Sequence, residues 1–426
     1  MTDATMADMA ASGGQELKTS DGRSLKAALK ASQSVERRRA FLLVLPLLAL
    51  LVASFIIPIG QLVTRSVYNP EVASYLPETS SALSGWNGEG VPDEEVFAAL
   101  AADMVVGAEN RTIGRVAARI NREMPGTRSM IMGLSRSAEE LQPPYREAFL
   151  ADDEGWGEQA LWRFLKRETR IITPAYYLIA TDLEYNAEGE IVQRPENYQV
   201  YRTLFWRTAW MSLTITALCV LLGYPIAHLL ATQPLRIANI LMILVLLPFW
   251  TSLLVRTSSW IVLLQQQGVI NDMLVWLGVV TDSGRLRMIY NKTGTIIAMT
   301  HILLPFMILP LYSVMKTIPP SYMRAARSLG ATQTYAFTRV YLPLTIPGLA
   351  AGVLLVFILA IGYYITPALV GGDSGIFISN LIASNMQSSL ANLKLGAALA
   401  TILLVLVMLF YFVFNKLIGV DRLKFG

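Results

Sequence analysis

The segment Pro319-Pro-Ser-Tyr-Met-Arg-Ala-Ala-Arg-Ser-Leu-Gly330 has the residue types and spacing that point most directly to a task. Pro320 and Ser321 signal a helix start, and Gly330 signals a stop. Between them Tyr322, Ala325, Ala326 and Leu329 recur at i, i+3, i+4 and i+7, one apolar stripe on a short helix. The chemistry on offer is docking. Alanines let another surface come close, and glycine permits a sharp turn. A second short helix is expected over about 333–341, after which Pro343 and Pro347 lead into the next element. The same pattern also describes an amphipathic loop packed on its own neighbours.

Groups that make or break bonds are scarce. The one cysteine, Cys219, excludes an intrachain disulfide framework and a cysteine-based metal site. His228 and His301 are too few and too far apart to suggest a metal site, and each reads as a helix residue with a hydrogen-bond partner. No Gly-x-x-x-x-Gly-Lys-Ser/Thr occurs, and there is no Gly-Lys dipeptide, so the phosphate-cradling loop of ATPases is absent. No paired carboxylates or nucleophile–base set lie at one membrane depth. The chain is therefore read as a non-enzyme without catalytic residues, metal ligands or a cofactor of its own.

The elements that must carry the loop are membrane helices. Of 426 residues, 54% are hydrophobic and 15% charged, too apolar for a soluble chain of this length. The net charge of +4 is small and gives no nucleic-acid signal. Six spans are expected at about 41–60, 206–231, 238–264, 294–316, 347–369 and 396–416. The third is expected to break near Pro248 or to end near Arg256. Residues 1–40 read as a cytosolic arm ending in the basic cluster Arg37, Arg38 and Arg39, which places the N-terminus in the cytoplasm. The loop over 316–346 carries Lys316, Arg324, Arg327 and Arg339 and no acidic residue. The tail carries Lys416, Arg422 and Lys424, so the loop and the C-terminus both fall on the cytoplasmic side. Residues 66–200 contain no span. Amphipathic stretches such as Glu94 to Val106 and Gly157 to Arg170 predict a mostly helical extracytoplasmic domain of about 135 residues. The domain order is thus an arm over 1–40, a first helix over 41–65, the insertion over 66–200, and a five-helix core over 201–426.

Ala325-Ala326-x-x-x-Gly330 followed by Val340-x-Leu342-Pro343 resembles the EAA loop of ABC-importer permeases, with Arg324 where that family usually has Glu. Glu there could close a capping box with Ser321, and Arg324 cannot. Arg324 is therefore expected to face solvent or to pair with an acidic group of a partner. The stretches Leu247–Thr257, Gly268–Asn271, Gly362–Gly372 and Leu222–Pro225 are similar to the spermidine/putrescine permease family, and this likeness covers most of residues 200–426. The likeness does not extend to the insertion, where members of that family typically have a much shorter loop.

This resemblance implies an all-α membrane protein of the type I importer permease architecture in a bacterial inner membrane. Two cytosolic ATP-binding subunits would bind ATP and receive the helix over 320–331. A second homologous permease would supply the other half of the pathway. A periplasmic binding protein would deliver the solute, and lipid would surround the spans. The coupling set would be Arg324, Ala325, Ala326, Gly330, Leu342 and Pro343. Trp250, Trp260, Tyr363, Tyr364 and Thr366 are candidates for the substrate path, although aromatic groups also serve packing and membrane interfaces. Asp272, Asp282 and Asp373 fall on the outer side, as cation attractors or as solvated loop charges. None of the core spans contains Asp or Glu. A sensor with an extracytoplasmic input domain and an ion-coupled secondary transporter are the rival classes. Four further spans count against the first, and scarce intramembrane ionisable residues against the second.

Overall fold

The structure, a computed structural model, describes residues 25–121, 124–186, 188–387 and 392–418. The first 24 residues and the tail cations Arg422 and Lys424 lie outside these. The chain divides into two compact units, one ending at Leu62 and one running from Val63 onward.

The first unit is a long helix. α1 (Leu25–Leu51) passes through a π turn at Val52–Ile56 into α2 (Ile57–Val67). From Phe41 onward its large apolar side chains are exposed all round, as a helix facing lipid requires. The π turn has a local cause. Pro58 lacks an N–H and its ring would crowd the carbonyl four residues back. The wider turn, closed by Ile57 N–H on the Val52 carbonyl, shifts the ladder before the proline arrives.

The second unit begins with the insertion. Its entry and exit are paired: Asn69 N–H donates to the Ile171 carbonyl at 2.7 Å, and Thr173 N–H to the Val67 carbonyl at 2.9 Å. Between them lie α3 (Glu94–Glu109), α4 (Ile113–Asn121), α5 (Tyr145–Asp152) and α6 (Gln159–Glu168). Phe97, Phe149, Trp156 and Trp162 form the centre of their core, Phe97 meeting Trp162 edge-on at 4.6 Å and Phe149 at 5.3 Å. Such pairs add about 0.5–1.5 kcal/mol each beyond area burial. After α7 (Ala175–Ala180) comes a two-stranded antiparallel hairpin, β1 (Leu183–Tyr185) and β2 (Ile191–Gln193), with Glu184 opposite Val192. This short hairpin is the one sheet among the described residues of a mostly helical chain, in keeping with the expected fold class.

Among the described residues, five helices are long and apolar enough to cross a membrane, or six if one bent pair is a single span. Besides the first helix they are α8 (Tyr201–Thr232), the pair α9 (Leu235–Leu246) and α10 (Leu253–Leu264) with α11 (Val269–Trp276) beyond it, α12 (Lys292–Thr317), and, after α13 (Pro320–Ser328), α14 (Gln333–Gly362). α15 (Ile365–Val370) and α16 (Ile378–Gln387) lead to α17 (Leu393–Ile418). The expected separate helix over 333–341 is corrected: it runs unbroken into the span. A π turn at Phe337–Tyr341, closed by Leu342 N–H on the Phe337 carbonyl, precedes Pro343 just as the earlier one precedes Pro58. The same span ends at Gly362, short of the expected 369.

α8, α12 and α14 pack as a bundle around Met211, Ile215, Cys219, Met307, Leu311 and Val356. Gly348 and Gly352, one turn apart, bring α14 against α12. A Cβ on Gly348 would stand 2.9 Å from the Pro310 carbonyl oxygen, and one on Gly352 2.7 Å from Met307 Sδ. Small residues at this spacing let membrane helices approach backbone to backbone.

Candidate coupling loop and membrane path

α13 is fixed at both ends by backbone chemistry. Pro319 is extended and Pro320 sits in the first turn, where its missing N–H costs nothing. At the other end Gly330 adopts φ +88°, the left-handed region. Ala331 N–H donates to the Ala326 carbonyl at 3.1 Å and Gly330 N–H to the Arg327 carbonyl at 3.0 Å. This pair of bonds is the Schellman closure. Thr332 then caps the next helix, its Oγ1 accepting from Tyr335 N–H at 3.3 Å.

The stripe divides the helix into two faces. Met323 packs against the bundle, and Ala326 is half-buried. Tyr322 is 50% exposed, Leu329 is 89% exposed, and Ala325 is exposed between them. An apolar stripe packed on its own neighbours would be covered, so this geometry favours a partner surface. Arg324 faces solvent and has no ion pair among the described residues. Leu342 is half-buried and Pro343 exposed at the start of the span proper.

Aromatic contacts set the loop on the bundle. Phe337 stacks on Tyr341 at 5.5 Å, and the ring of His228 from α8 meets Tyr341 edge-on at 5.1 Å. Tyr224 Oη and Thr345 Oγ1 lie 3.1 Å apart. A cleft of about 690 Å³ opens beside this cluster, lined by His228, Met315, Pro319, Met323, Phe337 and Tyr341. The expected hydrogen-bond partner of His228 is corrected here. Its Nδ1 is buried with no partner among the described residues, because the neighbours that α14 presents are ring edges. His301 has its partner: Trp260 Nε1–H donates to His301 Nδ1 at 3.2 Å.

The proposed path residues fall into separate places. A 3-10 turn at Leu247–Trp250 ends α9, and the chain bends by 98° before continuing as α10 and α11. Pro248 sits in that turn, and Ser252 caps α10 by accepting from Val255 N–H at 3.2 Å. Arg256 donates to the Pro248 carbonyl and, at 3.0 Å, to the Thr251 carbonyl. The break thus finds its hydrogen bonds locally, as a break at membrane depth must. Thr257 and Thr366 are fully buried with their hydroxyls 3.2 Å apart, joining α10 to α15. Trp260, one turn along α10, carries the contact to His301 on α12. Trp260 and Thr366 therefore share one inter-helix seam. Tyr363 and Tyr364 occupy the linker between α14 and α15. Ser379 Oγ donates to the Tyr363 carbonyl at 2.6 Å, and Asn380 Nδ2 to the Tyr364 carbonyl at 2.7 Å. Trp250 does not join them; it is 74% exposed.

Two of the three acids expected on the outer side share one cation. Arg285 Nη1 donates to Asp272 at 2.7 Å, and its Nε to Asp282 at 2.8 Å. The Asp282 bond first, then the Asp272 bond, hold the guanidinium pKa above its ordinary value. Arg207 donates to the Asp373 carbonyl at 2.7 Å.

Residues 220–420 match the family model of the binding-protein-dependent transport system inner membrane component. The spermidine/putrescine transport system permease protein PotB of Haemophilus influenzae is 37% identical over 232 residues, covering 53% of this chain and 80% of that protein. This chain belongs to that transport-component family. PotB of Escherichia coli K12 is 36% identical over 212 residues, 49% of this chain and 76% of its own. A solved bacterial ABC transporter involved in import of the polysaccharide alginate aligns at 20% identity and a TM-score of 0.42, over 52% of this chain and 80% of that one. Membership makes the chain a multi-pass inner-membrane permease subunit, and the matched region takes in α12, α13, α14 and the C-terminal part of α8.

Sequence reasoning missed one residue that organises this end of the molecule. Asp182, buried at φ +59°, accepts from the N–H groups of Val200, Tyr201 and Arg202 at 2.8–3.0 Å. It caps α8 from 18 residues upstream of the first of them. No local signal marks such a cap, since the usual capping residue directly precedes its helix.

Proposed function

We propose that this permease forms half of the translocation pathway of an ATP-driven importer for a small organic polycation of the polyamine type. Separate ATPase subunits, two per complex, drive it through α13. The observation that carries this reading is the exposed stripe of Tyr322, Ala325 and Leu329 on a helix fixed at both ends. A rigid, capped helix can transmit displacement, and α13 is joined through Phe337 and Tyr341 to the bundle it would move.

The orientation rests on charge. Counting the bent pair as one span gives six, and the cations of the 316–346 loop then share a cytoplasmic face with Arg37, Arg38 and Arg39. The insertion falls on the outer side, where it can meet a periplasmic binding protein, and a second homologous permease completes the pathway. The polyamine assignment follows the names of the PotB relatives. No Asp or Glu lies in the segments 201–264, 292–317 or 333–362. A polycation would therefore be held by rings and hydroxyls such as Trp260, Tyr363 and Thr366, with cation–π attraction as the main electrostatic component.

The test is co-purification of the tagged chain from detergent with and without Leu329→Asp, followed by an ATPase assay. An ATPase subunit accompanying the wild type and lost from the variant supports the reading. A well-folded wild-type chain that brings down no ATPase overturns it.

A further inference from the structure

α8 and α14 run antiparallel and meet in two rungs about one helical turn apart. Tyr224 of α8 faces Thr345 of α14, and His228, four residues on, faces Tyr341, four residues back. The first rung is closed. Thr345 Oγ1 spends its proton on the Leu342 carbonyl at 2.7 Å, so the Tyr224 hydroxyl is the donor across the 3.1 Å gap. The second rung is open. His228 Nδ1 is buried and has no partner among the described residues. Its ring meets Tyr341 edge-on at 5.1 Å and Phe337 edge-on at 5.7 Å. Tyr341 is only 7% exposed, so a residue with a hydroxyl donor lies buried against an orphaned ring nitrogen without bonding to it.

A buried nitrogen left unsatisfied costs more than an ordinary hydrogen bond contributes. Native structures hold few such groups, and each has a cause. Packing supplies none here, because a phenylalanine ring would make the same edge contacts without the polar atom. The surroundings supply one. Tyr341 closes the π turn Phe337–Tyr341 at the head of α14. The cleft of about 690 Å³ is lined by His228 and Tyr341 and also by Pro320 and Met323 of α13, so the coupling helix and the open rung share one empty space. A close-packed interior yields little to a small push, whereas a space of this size lets packed elements shift between two discrete arrangements.

We propose that the rung of His228 and Tyr341 is a latch of the coupling stroke. It is open in this state, and it closes when displacement of α13 narrows the cleft, the Tyr341 hydroxyl then donating to His228 Nδ1. This rests on the reading of α13 as the ATPase-coupling helix. A bond made in one of two states biases their equilibrium by its own worth, about fivefold for one net hydrogen bond. His228 and Tyr341 are positioning residues in this scheme. They touch no solute, and they set how firmly the displaced state is held.

The test is the rate of solute transport by the full complex in liposomes, beside the melting temperature of each chain in detergent. His228→Phe should melt at or above the wild type, since the orphaned nitrogen is gone, yet transport about fivefold more slowly. Tyr341→Phe should lose the same factor, and the double variant no more than either single one. His228→Asn, which returns an acceptor near the position of Nδ1, should recover most of the rate. Wild-type transport in His228→Phe overturns the latch, as do losses that multiply in the double variant or an asparagine variant as slow as the phenylalanine one. A wild-type complex that couples no ATP hydrolysis to transport overturns the reading of α13 and the latch with it. Normal coupling in the wild type alongside any of the three contrary results overturns the latch alone.

Discussion

Gly330→Ala perturbs the coupling helix without touching a neighbour. A Cβ at Gly330 meets no atom within 4 Å, so the cost is backbone strain and not a clash. An L-residue held in the left-handed region costs about 1–2 kcal/mol. The chain can relieve that strain by opening the turn, which forfeits the bonds from Ala331 to Ala326 and from Gly330 to Arg327. Leu329, whose amide bonds to the Ala325 carbonyl, would then lose its fixed position. If docking requires the closed turn, the dissociation constant for the ATPase subunit should rise by up to about 5–30-fold, the strain converted at 1.4 kcal/mol per tenfold. Gly330→Asn should fall between wild type and alanine, because asparagine tolerates the left-handed region better. The assay is titration of the detergent-solubilised chain with purified ATPase subunit, paired with the ratio of ATP hydrolysed to solute transported in liposomes. Two results would refute the reasoning. One is wild-type affinity in Gly330→Ala. The other is a larger loss in Gly330→Asn than in Gly330→Ala, which would make side-chain size and not backbone strain the cause.

Asp182→Ala should lower the melting point and expose residues 186–200 to protease, because three backbone donors at the head of α8 lose their acceptor. The expected cost is about 1–2 kcal/mol, near the top of the capping range. Glu168→Gln should destabilise the insertion by about 3–5 kcal/mol, since it removes the carboxylate paired at 2.9 Å with the buried Arg119. Accelerated proteolysis within 69–171, with the spans still resistant, is the expected readout. Equal proteolysis of both regions would show that the effect is not local.

What was legible in the sequence was local. The coupling helix announced itself because proline, serine, glycine and a four-residue stripe all lie within twelve residues. The spans were legible because crossing a membrane requires length and apolarity together. Reasoning failed where the structure settles a local conflict by a nearby distortion. Pro343 and Pro347 read as a helix boundary, but the π turn at Phe337–Tyr341 absorbs the first, and the helix continues. The Gly348–Gly352 spacing was readable as close helix contact and went unread. Trp250 was grouped with the path on residue type alone. The 98° bend after it turns on backbone hydrogen bonds that only Arg256, several residues downstream, completes. Asp182 and the contact of His228 with Tyr341 depend on contacts between elements far apart in the chain, and neither leaves a pattern in a window of any length.

The wiring of the insertion bears on how the permease can move. Its entry and exit strands are paired at Tyr68 and Ile172, so the domain proper closes on itself before the chain reaches the spans. The next helix, α7, packs Tyr176 and Ala180 against Leu395 and Leu399 of α17. A polar chain runs beside this contact. Lys394 Nζ donates to Asn69 Oδ1, Asn69 Nδ2 donates to Glu168 at 2.8 Å, and Glu168 pairs with Arg119 in the domain core. Asn69 and Glu168 are fully buried and Arg119 nearly so. Breaking the Lys394–Asn69 bond, the link of this chain that crosses to α17, costs about 1.5–3 kcal/mol as a hydrogen bond to a charged group. A rocking motion that shifted α17 against the insertion would have to break this chain. Rocking that carried the two together would leave it intact. The cheaper motion therefore moves the insertion and the last span as one body, so a load on the insertion reaches α17 directly.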